Sequence, residues 1–171
     1  MYLLSAGNGR GGVPRSSKEH ELKAAFLYNF TKFVEWPPDR FADTNAPLVL
    51  GIAGDSPCRA ELELIAKDRK SNGRALVIKP LQSAREVKDV HMLFVSASED
   101  SRLDEWLASA RGAAVLTAGE SAQFLKRGGM INLFLEGEKI RFEINMEPAD
   151  AVGLKVSAQL QKLAKAIRRK P

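Results

Sequence analysis

Between Leu48 and Lys126 short apolar runs alternate with amphipathic stretches, and this alternation restricts the fold more than any other feature of the sequence. Leu48-Val49-Leu50-Gly51-Ile52-Ala53 is apolar throughout and runs into Gly54-Asp55-Ser56-Pro57, the pattern of a strand buried on both faces and closed by a turn. A helix follows, with Leu62, Ile65 and Ala66 turned inward. Predicted strands at 76–78, 92–95 and 113–116 then alternate with predicted helices at 84–90, 103–110 and 121–126. Strands separated by helices imply a parallel sheet with right-handed crossovers.

The pattern changes after Gly128-Gly129. Residues 130–135 and 139–145 flank the turn Glu136-Gly137-Glu138, which predicts a β-hairpin. Lys139-Ile140-Arg141-Phe142-Glu143-Ile144-Asn145 alternates polar with apolar, so one of its faces is covered and the other is wet or meets something polar. Upstream, a helix is predicted from Lys18, with Leu22, Ala25, Phe26, Asn29, Phe30 and Phe33 on one stripe and Leu27 and Val34 widening it. It must stop near Trp36, because Pro37 and Pro38 lack N–H donors and push the preceding residue out of the α region. Asn29, polar within the stripe, is expected to bond the backbone of a neighbouring strand; Tyr28 and Trp36 are expected in the core. Val156, Leu160, Leu163, Ala164 and Ile167 predict a C-terminal amphipathic helix.

The expected fold class is therefore α/β: a three-layer, mostly parallel, Rossmann-like sheet with a C-terminal antiparallel hairpin and flanking helices. Residues 1–17, rich in glycine, read as a disordered lead or processed segment, leaving 18–171 as a single domain. A chain of 171 residues, 44% hydrophobic, buries enough surface to fold without a disulfide or metal. Its one cysteine, Cys58, cannot close an internal bridge. No apolar run is long enough to cross a membrane, and Leu3 and Leu4 do not make the apolar region of a secretory signal.

Chemistry is sparse. The two histidines, His20 and His91, have no cysteine or second histidine beside them, so neither a metal site nor a cofactor is expected. Gly-x-Ser-x-Gly, Gly-x-Gly-x-x-Gly and the Gly-Lys-Ser/Thr phosphate loop are all missing. His91, at the start of a buried strand, is expected to be structural, and no catalytic set is expected. A doubly wound sheet holds ligands at the carboxyl ends of its strands. Asp55, Ser56, Ser96, Ser98 and Thr117 are the candidate ligand-binding residues there, though turns and helix caps use the same residue types. A phosphoacceptor receiver shares the architecture but needs an acidic cluster, where this chain has Asp55 alone and then Ser96. The net charge of +5 raises the question of an acidic partner, with one local excess at 162–170. Those cations are expected on the solvent face of the last helix, and no aromatic residue follows Phe142, so nucleic acid is not an expected partner.

Lys23-Ala24-Ala25-Phe26-Leu27-Tyr28-Asn29-Phe30-Thr31-Lys32-Phe33-Val34-Glu35-Trp36-Pro37 resembles the N-terminal signature of the YfiR family. His91-Met92-Leu93-Phe94-Val95-Ser96, Val115-Leu116-Thr117, the block from Phe124 through Gly128 and Gly129 to Ile131, and that from Lys139 through Phe142 to Asn145 are similar to later family blocks, in order. Gly153-Leu154-Lys155-Val156-Ser157 fits the closing one. The resemblance implies a periplasmic protein, typically dimeric, that represses an inner-membrane diguanylate cyclase by binding its periplasmic sensor region, so that release raises cyclic di-GMP and promotes biofilm. It implies no enzymatic activity and no membrane insertion. The signature residues Phe26, Asn29, Phe30, Phe33, Trp36, Pro37, Gly128, Gly129, Phe142 and Asn145 are expected to be structural. In two respects the chain departs from the family: Val90 stands where a cysteine commonly precedes the His block, and the signal sequence expected of an exported protein is not evident. The alternative expectation is a ligand-binding or enzymatic α/β domain using the strand ends.

Overall fold

In the computed structural model, which describes residues 15–169, the alternation becomes an eight-stranded sheet. Its elements are α1 (Arg15–Phe33), β1 (Val34–Glu35), β2 (Leu48–Ala53), α2 (Cys58–Asp68), β3 (Lys70–Ser71), β4 (Arg74–Leu81), β5 (Met92–Val95), α3 (Leu103–Ala110) and β6 (Leu116–Gly119). The hairpin β7 (Ile131–Glu136) and β8 (Lys139–Asn145) follows, then α4 (Met146–Ala151), β9 (Lys155–Val156), α5 (Ala158–Leu163) and β10 (Ala166–Arg168). The sheet order is β10-β8-β7-β6-β5-β2-β4-β3, while β1 pairs with β9 in a separate two-stranded ribbon. Strands β4, β2, β5, β6 and β7 are mutually parallel, β7 and β8 antiparallel, and β10 runs parallel to β8. The chain reverses its direction of travel across the sheet between β2 and β5, the topological switch point.

Two apolar layers sandwich part of this sheet. The larger lies under α1 and α2 and takes Leu50, Ile52, Phe94, Ala118, Leu133 and Phe142 from the strands. The smaller lies under α3 and takes Leu93, Val95, Trp106, Leu107 and Phe124. No residue of β7, β8 or β10 belongs to the smaller layer. An apolar layer thus lies on both sides of the sheet as far as β6 and on one side only beyond it.

Several predicted elements take a different form. Helix α1 begins at Arg15, inside the segment read as a lead, and ends at Phe33, three residues before Trp36, because Val34 and Glu35 pair with Val156 and Lys155. The expectation for residues 1–14 lies outside the described residues. The stripe that α1 buries is rotated: Ala24, Leu27, Phe30, Thr31 and Val34 are fully buried, whereas Leu22 and Asn29 are exposed. The Asn29 side chain makes no hydrogen bond among the described residues. Its expected role falls to its neighbours: Tyr28 Oη donates to Lys70 O at 2.7 Å, and Thr31 Oγ1 donates to Ser71 Oγ at 2.9 Å. An aromatic and a hydroxyl residue sit better than an amide where an apolar wall meets a strand end, since each has one polar group to satisfy.

The predicted helix at 121–126 is a run of turns, and the strand before it is shifted to Leu116–Gly119. Gly119 and Gly129 explain this. A Cβ at either would lie 2.3 Å or 2.2 Å from the Phe124 ring, which fills the space between them. Gly128, at φ 102, makes the reversal that brings Gly129 there. The predicted C-terminal helix is likewise broken: Val156 lies in β9, Leu163 is exposed, and Ile167 lies in the edge strand β10. Ile167 packs on the larger layer beside Ile144, so burial in the sheet overrides helix periodicity there.

Candidate functional site

The switch point brings together Gly54, Asp55 and Ser56 after β2 with Ser96 and Ser98 after β5. Gly54 has φ 86, and a side chain there would strike Ser98 Oγ and Glu99 Cγ. The hydroxyls then bond within the loops. Ser96 Oγ donates to Asp55 O at 2.9 Å, Ser98 Oγ accepts from Asp55 N at 3.0 Å, and Ser56 Oγ accepts from Cys58 N at 3.3 Å. Glu120 crosses the mouth, accepting from Ala97 N at 3.0 Å and from Lys23 Nζ at 3.0 Å; Glu19 holds the same Lys23 at 2.6 Å. Burial works against the charge on Lys23, and the two carboxylates outweigh it and raise its pKa. Burial also pushes the Cys58 thiol up, which keeps it protonated and unreactive.

Thr117 does not join this group. It lies in β6 level with Leu93, and its Oγ1 accepts from Met130 N at 3.0 Å. It lines a separate hollow of about 130 Å³ beneath Leu107, Ala110 and Val152. The strand-end residues are thus four together and one apart.

His91 sits at the opposite, amino end of β5, remote from the serines. Its Nδ1 accepts from Val49 N at 3.0 Å, its Nε2 is 2.9 Å from Arg40 O, and its ring stacks on Phe41 at 4.4 Å. Because Nδ1 must accept, the ring is neutral with its proton on Nε2. Burial lowers its pKa; the hydrogen bond to Arg40 O opposes this, and the charges of Arg40 and Arg74 add to the lowering. Trp36 Nε1 donates to His91 O at 2.8 Å, closing a structural knot at the base of the sheet. Among the described residues no histidine reaches a nucleophile, and no group of three metal-binding side chains exists.

The signature aromatics are core. Phe30 meets Phe142 edge-on at 5.1 Å, with Phe26 at 5.9 Å from Phe142, joining α1 to β8. Phe33 is half-buried on the same layer, Pro37 leads into the turn at 38–40, and Asn145 caps α4 by accepting from Glu147 N.

One face of the hairpin has no apolar layer over it. Ile131, Leu133, Ile140, Phe142 and Ile144 turn to the larger layer, so strand alternation places Asn132, Phe134, Arg141 and Glu143 on the side that no apolar layer covers. Asn132 faces Glu143 across the ladder and Phe134 faces Arg141, making Asn132 and Arg141 diagonal neighbours. Asn132 is 7% exposed and its Oδ1 has no hydrogen-bond partner; Arg141 Nε is buried and equally unpaired. Buried polar atoms without partners are rare in native proteins and expensive. Sequence reasoning flagged the wet side of 139–145 but singled out neither residue. The available signal was the polar Asn132 within the apolar run 130–135, opposite the arginine of the next strand.

These features define a Rossmann-like α/β domain whose strand-end hydroxyls bond within their own loops and whose hairpin carries a buried polar pair on the side without an apolar layer. A family model described as DUF4154, YfiR/HmsC-like, matches residues 20–165. The chain belongs to the YfiR/HmsC-like family. No protein of curated function matches the sequence. Among solved structures it is similar to a conserved domain protein from Vibrio cholerae O1 biovar El Tor strain N16961, at 12% identity and TM-score 0.58, covering 87% of this chain and 60% of that one. It is also similar to an ABC domain in complex with L-Trp from Streptococcus pneumonia, at 11% identity and TM-score 0.56, covering 86% and 60%. At such identities the likeness is one of fold, and this chain spans only 60% of either protein.

Proposed function

We propose that this protein is a periplasmic regulatory binding protein that represses a membrane-anchored diguanylate cyclase by holding the enzyme's periplasmic sensor region. The observation that carries the reading is the polar pair on the side of β7 and β8 that has no apolar layer, where Asn132 Oδ1 and Arg141 Nε are buried without partners. Both atoms are buried, so a partner supplies them with a donor and an acceptor only by displacing the half-buried Phe134 or Arg141 side chain. Family membership supplies the regulatory context. Among the described residues no helix is long and apolar enough to cross a membrane. Two copies are proposed to associate as a homodimer.

Deleting the gene tests the cyclase reading: cellular cyclic di-GMP is expected to rise, and cross-linking is expected to recover a membrane protein. Unchanged cyclic di-GMP together with no membrane partner would sink it. The reading as a ligand-binding or enzymatic domain has one observation in its favour, the exposure of Asp55 and Ser98 at the switch point. A thermal-shift screen with nucleotides and small acids tests it, and a response abolished by Asp55→Ala would favour it over the first.

A further inference from the structure

On the side of the sheet that carries the smaller layer, the segment before β5 packs against α3 and leaves a hollow of about 350 Å³ beside the end of that helix. Its walls are Ala84, Arg85 and Lys88 from the 3₁₀ helix Ala84–Asp89, with Ala108, Ser109 and Arg111 from the end of α3 and its cap. Residues three apart on a 3₁₀ helix eclipse one another. Ala84 and Val87 accordingly share its buried side, while Arg85 and Lys88 are exposed and both line the hollow. Three cations thus surround one space whose lining holds no carboxylate. None of the three side chains has a hydrogen bond or ion pair among the described residues. Glu86, on the same 3₁₀ helix, is taken up by Gln82 N, Ser83 N and Lys79, and Asp89 does not line the hollow. The dipole of α3 favours a cation at its carboxyl end, which accounts for Arg111 but not for Arg85 and Lys88, since they belong to another element.

We propose that this hollow binds a phosphate group, carried either by a free phosphate or by a lipid headgroup. Arg85 and Arg111 each present a planar fork of N–H donors that matches two phosphate oxygens, and Lys88 adds a compact charge. The half-buried Ser109 hydroxyl, which has no partner of its own among the described residues, donates a further bond. Ala84 and Ala108 leave only methyl groups on the walls, so no bulky side chain keeps the anion from the cations. Like charges around an empty space repel, and an anion between them turns that repulsion into attraction. A phosphate monoester suits the set better than a carboxylate, because it has three acceptor oxygens and more than one charge to share among the donors. Neither the strand-end loops nor the hairpin contributes to the hollow, so its occupation is independent of the receptor contact proposed above.

The test is a titration of the intact protein with inorganic phosphate at constant ionic strength, against chloride, followed by amide shifts in NMR. Saturable shifts are expected at Arg85, Lys88, Ser109 and Arg111. Arg85→Gln, Lys88→Gln and Arg111→Gln are each expected to weaken binding about threefold to fivefold, and the triple variant to abolish saturation. All three side chains are exposed, so the variants keep the fold. Lys67→Gln removes the same charge from α2, across the sheet, and is expected to leave the titration unchanged. No saturable shift with phosphate, shifts matched by chloride, shifts that persist in the triple variant, or an equal loss with Lys67→Gln overturns the proposal. Sedimentation with phosphatidylcholine vesicles, with and without phosphatidic acid, separates the two sources. Given saturable phosphate binding, sedimentation only with phosphatidic acid, lost in the triple variant, assigns the site to a lipid headgroup. Sedimentation with neither vesicle assigns it to a free phosphate.

Discussion

His91 shows how much one ring can determine. It accepts a backbone N–H at Nδ1, lies near Arg40 at Nε2, and stacks on Phe41, whose ring also carries the Arg74 guanidinium at 3.8 Å. Protonation would turn an acceptor into a donor facing Val49 N and add a third cation to the group. Its pKa is lowered on folding, so at mildly acid pH the unfolded chain binds a proton that the native one refuses, and stability rises with pH through that window. The contribution is complete above the unfolded value of about 6.5 and is lost as pH falls from there toward the lower folded value. Urea midpoints measured at pH 5 and pH 8 are expected to differ, and His91→Gln is expected to shrink the difference; an equal difference in the variant refutes the assignment. The Phe124 ring gives a second prediction. Gly129→Ala places a methyl group inside it and is expected to cost about 1–3 kcal/mol by overpacking, read from urea denaturation. Reading the sequence identified Gly128 and Gly129 as a marked pair, but that Phe124 fills the space beside them depends on the fold.

At the scale of elements, what was legible followed from local chemistry. Strand β5 and helix α3 have the predicted bounds, because each is a short apolar or amphipathic run flanked by breakers. What was not legible depends on distant pairing. Val34 and Glu35 continue a helical pattern by composition, yet they form a strand because Lys155 and Val156 lie alongside. Likewise α5 stops at Leu163 because Ile167 gains more as an apolar edge residue over the larger layer than as a helix end in solvent. The join between α1 and β3 follows from the rotated stripe. Thr31→Val leaves the Ser71 hydroxyl buried without that partner and is expected to cost about 1–3 kcal/mol. Asn29→Ala, on the exposed side of the same helix, is expected to stay within about 0.5 kcal/mol. Equal losses at the two positions would show that the stripe is not where the burial pattern puts it.

At the scale of the molecule, the two sides of the sheet differ in kind. One apolar layer runs its full width, from Leu76 to Ile167, and the other stops at β6. The sequence showed the alternation that builds the sheet but not the point at which the second layer ends, which depends on where α3 and Phe124 pack. The candidate strand-end residues were legible as turn chemistry, and their bonding to one another emerged only when the two loops met. Light scattering is expected to give the mass of two protomers at micromolar concentration, and a monomer there would remove the proposed homodimer.

The half-covered sheet also bears on how such a protein changes over time. Along β8 buried residues alternate with half-buried or exposed ones, whereas in β7 Asn132 is buried with its core-side neighbours and Leu135 is exposed. Substitutions at the half-buried 134, 141 and 143 alter the outward side of the hairpin while 131, 133, 140, 142 and 144 hold the larger apolar layer. If the proposed receptor contact lies on this face, it changes by substitution at three half-buried positions while the core residues stay as they are.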